Sequence, residues 1–187
     1  MATQTFTTGQ VLTAADTNTY LANSMAQFVS YTAITAGAST VTVSNCYNSS
    51  YDRYKVLIQT SSSATGGLSF TMYPNGTTSG NYTSSMYQSA ISGTVLTFNT
   101  AASSGMILGL TGNNNMVVEL DNYNAYGATP GKTATIRWTS YDSVASQGGT
   151  SAYWSTVGAS NTGFYMTMAG GQTFGDGSVT VYGYRKP

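Results

Sequence analysis

The chain has 187 residues, enough for one domain with a packed core and a short extension. Hydrophobic residues make up 41% of it and charged residues 6%, with six basic and six acidic side chains. That balance excludes disorder of the high-charge kind and leaves no basic track for nucleic acid, since Arg53/Lys55 and Arg185/Lys186 are the only close basic pairs.

The first stretch, residues 1–28, differs in texture from all that follows. It has no basic leader followed by a continuous apolar run, so no secretory signal is expected. No run anywhere approaches the ~18–20 apolar residues of a membrane helix, so no membrane insertion is expected either. Thr13, with Asp16 three residues on, resembles a helix-capping pair. Ala14, Asn18, Leu21, Met25 and Phe28 recur at a 4-3-4-3 spacing, and together these predict one helix over residues 13–27. The stripe is too short for a coiled coil. It suits packing on its own domain, on a neighbour or on a second copy.

From Val29 the period changes to two. "STVTVSNCY" (39–47) alternates with Val41 and Val43 on one face. Its Cys46, the single cysteine, is expected as a small buried apolar side chain. "YDRYKVLIQT" (51–60) puts Tyr54, Val56 and Ile58 on one face and Leu57 on the other. "LSFTMYPNG" (68–76) runs into a Pro-Asn-Gly turn. Further strands are predicted at 93–100, 105–112, 115–123, 132–143, 151–158, 163–171 and 177–187, the last with Val179, Val181 and Gly183 on one face. About ten short strands with Gly- and Asn-rich turns predict a mainly β chain. The expected architecture is a short N-terminal helix (1–28 as the leading unit), then an antiparallel, jelly-roll-like β-sandwich over 29–187.

Chemistry is sparse. There is no histidine, which removes the commonest general base and the commonest metal ligand. Of the carboxylates Asp16, Asp52, Glu119, Asp121, Asp142 and Asp176, only Glu119 and Asp121 share a strand face, as a hydrolytic pair would require. On a solvent-facing strand they read as a polar stripe. No calcium, zinc or phosphate-loop pattern occurs, so neither an enzyme nor a cofactor is expected. Aromatic rings in polar company stand out instead: Tyr82 and Tyr87, Tyr123 and Tyr126, Tyr153 and Trp154. A flat ring flanked by amides and hydroxyls suits a neutral sugar, and Tyr123, Tyr126, Tyr153 and Trp154 are the candidate glycan contacts. Tyr also favours half-buried strands for its own sake.

Phe6, Gly9, Val11, Leu12, Thr13, Ala14, Ala15, Asn18, Tyr20 and Leu21 spell F-x-x-G-x-V-L-T-A-A-x-x-N-x-Y-L. This phrase resembles the amino-terminal segment of tail-fibre, head-fibre and other minor virion proteins of tailed bacteriophages. "YDRYKVLI" (51–58) and "SVTVYGYR" (178–185) resemble strands recurrent in β-domains of such proteins. The resemblance implies a non-enzymatic virion component, assembled in the host cytoplasm and contacting other virion proteins. Its docking face would comprise Phe6, Val11, Leu12, Leu21, Met25 and Phe28. It also implies a homotrimer and an exposed β-domain that meets the host surface. The chain lacks the long repetitive shaft of a full fibre, so a short knob and a capsid decoration (cement) protein are both open.

Overall fold

The computed structural model describes Gly9, Thr13 and residues 26–62, 68–74, 82–90, 93–103, 106–111, 115–127, 132–141, 145–154, 160–168 and 171–185, some strand residues by their backbone alone. The described chain is mainly β: twelve strands, all paired antiparallel, and no α-helix among the described residues. In chain order they are β1 (Gln27–Ile34), β2 (Thr40–Val43), β3 (Tyr51–Thr60), β4 (Leu68–Pro74), β5 (Tyr82–Ala90) and β6 (Gly93–Ser103). Then come β7 (Met106–Thr111), β8 (Met116–Tyr123), β9 (Lys132–Tyr141), β10 (Ala145–Trp154), β11 (Phe164–Met168) and β12 (Gly177–Arg185).

Two sheets result. The larger has eight strands in the order β1-β12-β3-β8-β9-β10-β5-β6, and the smaller has four, β2-β11-β4-β7. The chain crosses between them repeatedly, and the hairpins β5–β6 and β9–β10 add four strands to one side of the larger sheet.

Period-two alternation sends one face of each strand inward. Tyr54, Val56 and Ile58 of β3, Val118 and Leu120 of β8, Ile136 and Trp138 of β9, and Val179 and Val181 of β12 are all buried. From the smaller sheet come Val41, Val43, Met106, Phe164 and Met166, and these side chains form a single core with the others. Each fully buried aliphatic side chain contributes about 1.5–3 kcal/mol by leaving water.

One end of the core is closed by an aromatic knot. The rings of Tyr47 and Tyr54 meet edge-on with centroids 4.7 Å apart, and Tyr47 tilts against Phe164 at 5.9 Å. Buried hydroxyls need partners, and both have them. Asn122 Nδ2 donates to Tyr47 Oη at 2.6 Å, while Tyr54 Oη accepts from the Asn48 amide and donates to its carbonyl, each at 2.7 Å. Cys46 is buried beside them, as expected, its Sγ 3.8 Å from the Val43 carbonyl. Burial pushes the Cys46 thiol up to about 12 and the Tyr54 phenol up to about 12, and it raises Tyr47 well above its ordinary value.

The leading segment needs one correction. The helix expected over 13–27 cannot run to its predicted end, because Gln27 already opens β1 and pairs with Gly183. Phe28, expected on the helical stripe, pairs with Tyr182 in the same ladder. The unit boundary at 28/29 therefore falls inside a strand. Residues 14–25, the body of the predicted helix, lie outside the described residues.

Candidate functional site

The outward face of the larger sheet gathers the exposed aromatic and aliphatic side chains. Among the described residues, Phe28, Tyr31, Leu57, Tyr87, Val117, Tyr123 and Tyr153 are the large apolar side chains left open to solvent, at 38–62% exposure. All seven sit on strands of this one sheet at outward positions of the register. Scattered singly, exposed apolar residues carry no meaning; seven on one sheet face make that face the candidate contact surface among the described residues.

The register sets them in rows. One row runs Tyr31, Thr180, Leu57, Glu119, Arg137, Gly149, Tyr87 across seven strands. A second runs Tyr184, Arg53, Tyr123, Thr133, Tyr153. Tyr123 and Tyr153 are two strands apart, roughly 9–10 Å at the usual strand spacing.

Two grooves indent this face. The first, about 420 Å³, is lined by Asp52, Arg53, Tyr123, Asn124 and Tyr184. Arg53 fills its middle. Its guanidinium lies 5.1 Å from the ring centroids of both Tyr123 and Tyr184, and its Nη2 donates to Asp121 Oδ1 at 2.9 Å. The bond to Asp121 raises the Arg53 pKa above its ordinary value. Asn124 takes the left-handed conformation (φ 55°) at the rim, where its amide donates to the Asp52 carbonyl at 2.7 Å.

The second groove, about 380 Å³, spans β8, β9, β10 and β5. Its walls include Tyr87, Ser89, Val117, Glu119, Arg137, Thr139 and Gln147. Gly148 and Gly149 yield space to side chains on opposite faces of β10. A Cβ at Gly148 would stand 2.4 Å from the buried Trp138 ring, and one at Gly149 would stand 2.6 Å from the ring of Tyr87. The Tyr87 side chain therefore covers the backbone of Gly149, an aromatic laid over a strand glycine.

Glu119 and Asp121 do share the outward face. Each is held by a cation of β3, Glu119 by Lys55 and Asp121 by Arg53, and the Glu119 bond raises the Lys55 pKa. Among the described residues no three His, Cys, Asp or Glu side chains are grouped to hold a metal ion.

The candidate residues divide as follows. Tyr123 and Tyr153 lie together on the outward face. Tyr126, in the turn after β8, packs half-buried against the core instead. Trp154 ends β10 paired with Lys132 and Tyr82, and its side chain is outside the described residues. Of the docking set only Phe28 is described. It is exposed, its ring 6.4 Å from that of Tyr182 and edge-on to it. Phe6, Val11, Leu12, Leu21 and Met25 lie outside the described residues. Sequence reasoning placed Tyr87 in a loop and passed over Tyr31, Arg137, Gln147 and Tyr184. Their signal was the outward parity of β1, β9, β10 and β12, which shows only once the register is known.

No protein-family model, no curated protein and no solved structure matches this chain.

Proposed function

We propose that this chain is a non-enzymatic structural protein of a bacteriophage virion, a short fibre- or knob-type appendage. Its leading segment attaches it to the particle, and its β-domain presents the aromatic face of the larger sheet to host-surface glycans. The observation that carries the reading is the strand order. Without the two added hairpins, the sheets are β1-β12-β3-β8 and β2-β11-β4-β7. That order is the one an eight-stranded jelly-roll sandwich would have, and it supports a reading in that direction, since the architecture recurs in viral capsid and lectin domains. Architecture alone does not assign a role. Two further observations support this one: the virion-protein phrase at residues 6–21, and a contact face built from tyrosines among hydroxyls, amides and paired charges. Flat phenol rings suit the apolar face of a sugar, and neighbouring Thr, Gln and Asn groups suit its hydroxyls.

A capsid-decorating role is the second reading. The breadth of the face favours it, since exposed apolar side chains run from β1 to β5 across seven strands. Such a span suits a neighbouring subunit as well as a sugar, and homotrimers are common to both readings.

Deleting residues 2–25 spares β1. The expected result is a folded protein that no longer joins particles. Normal incorporation of the truncated protein ends the docking role. Copy number per particle separates the readings: a handful means an appendage, hundreds a decoration protein.

A further inference from the structure

We propose that the groove around Arg137 is the sugar subsite, and that its ligand is an acidic saccharide carrying a carboxylate, of the uronic-acid kind. This rests on the glycan-contact part of the function proposed above and adds to it a place and a charge.

Arg53 is spent on Asp121 and on two tyrosine rings; Lys55 is spent on Glu119. Arg185 Nε donates to Gln27, and Lys132 is buried with its own contacts. Arg137 alone among the described cations has no hydrogen bond, ion pair or ring contact, and it is exposed. It stands in the middle of the groove, register partner to Glu119 on one side and Gly149 on the other. Lys55 neutralises the Glu119 carboxylate, so the groove keeps one unmatched positive charge.

The other walls suit the rest of a sugar. Tyr87, 49% exposed and laid over Gly149, offers an aromatic platform one strand beyond Gly149 in the Arg137 row. Gln147, Thr139 and Ser89 supply amide and hydroxyl groups along the adjoining row. A guanidinium takes a carboxylate through two parallel hydrogen bonds. A pyranose carrying a carboxylate therefore places its charge on Arg137 and its ring against Tyr87. The neighbouring groove fails this test: Arg53 is already engaged, and Asp52 at its wall would repel an anion.

The experiment titrates full-length protein with glucuronate-containing oligosaccharides and with the same oligosaccharides after reduction of the carboxyl to a primary alcohol. The expected result is at least a tenfold loss of affinity on reduction. Arg137→Gln is expected to reproduce that loss for the acidic ligand and to leave the reduced one unaffected. Tyr87→Ala weakens both. Both Arg137 and Tyr87 face solvent, so circular dichroism and melting temperature stay near those of the parent protein. Equal affinity for acidic and reduced ligands, or an Arg137→Gln protein that binds the acid as well as the parent, overturns the acidic subsite while leaving glycan contact standing. Absence of binding to both ligands and to a broad glycan array overturns the subsite and the glycan-contact reading together.

Discussion

The ring of Tyr87 lies over Gly149, with Cε1 2.6 Å and Oη 2.8 Å from where a Cβ would stand. The two residues are direct register partners across β5 and β10. A methyl group added at Gly149 meets only the far end of a solvent-facing side chain, which swings aside. Gly149→Ala is therefore expected to cost under about 1 kcal/mol, within the ordinary range for surface changes. It should lower affinity for acidic and carboxyl-reduced oligosaccharides alike, because the platform is displaced and the cation is not. Gly148→Ala differs: its Cβ would stand 2.3 Å from the Tyr87 carbonyl oxygen and 2.4 Å from the Trp138 ring. Backbone and a buried indole cannot yield so easily, and overpacking of about 1–3 kcal/mol is expected. Urea unfolding of the two variants side by side checks the ranking.

Alkali should unfold the protein earlier than its few charges suggest. In the unfolded chain Cys46 ionises near its ordinary 9.0 and Tyr54 near 10.0, whereas burial holds both at about 12 in the fold. As pH rises above about 9 the unfolded state releases protons that the native state keeps, so stability falls. Below the ordinary values these groups contribute no pH dependence. Urea midpoints measured from pH 7 to 11 should be flat with respect to these groups up to about 9 and then decline. Cys46→Ala should flatten the first part of that decline. The same burial predicts that Cys46 reacts with a thiol reagent only on unfolding.

Tyr47→Phe removes the acceptor of the Asn122 amide. Asn122 is fully buried and its Oδ1 is already without a partner. The variant leaves Nδ2 unpaired as well, at an expected cost of about 1–3 kcal/mol. The cost should shrink in the background of Asn122→Leu, where no amide remains to be orphaned. A double-mutant cycle by thermal or urea unfolding measures the coupling; additivity would mean that the 2.6 Å bond contributes nothing.

Arg53→Lys keeps the charge and loses the plane. Arg53 lies between two rings with its Nε and Nη2 both directed at Asp121. A lysine cannot stack and bond in that way. Since the pair is partly exposed, the expected loss is modest, about 1 kcal/mol. High salt should shrink the difference between parent and variant only slightly, because most of it comes from stacking.

The strands whose faces differ in hydropathy were legible. β3 was read to the residue, including Leu57 on the opposite face from Tyr54, Val56 and Ile58. β1 was not. The register shift between Phe28 and Ser30 breaks its alternation, and its outward aromatics look like a helical stripe when joined to Leu21 and Met25. The first half of β10, Ala145–Thr150, has no large apolar residue because its glycines yield their space to Trp138 and Tyr87. A hydropathy pattern cannot show room made for something else. The candidate site was legible in part. Tyr123 and Tyr153, candidate glycan contacts by sequence, stand on the outward face of β8 and β10. Arg137 and Gln147 belong to one hairpin, but Tyr87 comes from β5, well apart in the chain, and only the register brings the three side by side.

The pairing of β1 with β12 has a consequence for synthesis. Among the described residues β12 is the only strand that borders β1, so the earliest of the described strands waits for the latest. At the ribosome's pace of about 5–20 residues per second, that wait is roughly seven to thirty seconds. During it β1 and its outward Phe28 and Tyr31 have no native neighbour along the backbone. Residues preceding β1 are thus attached to a strand that locks only once β12 has been made.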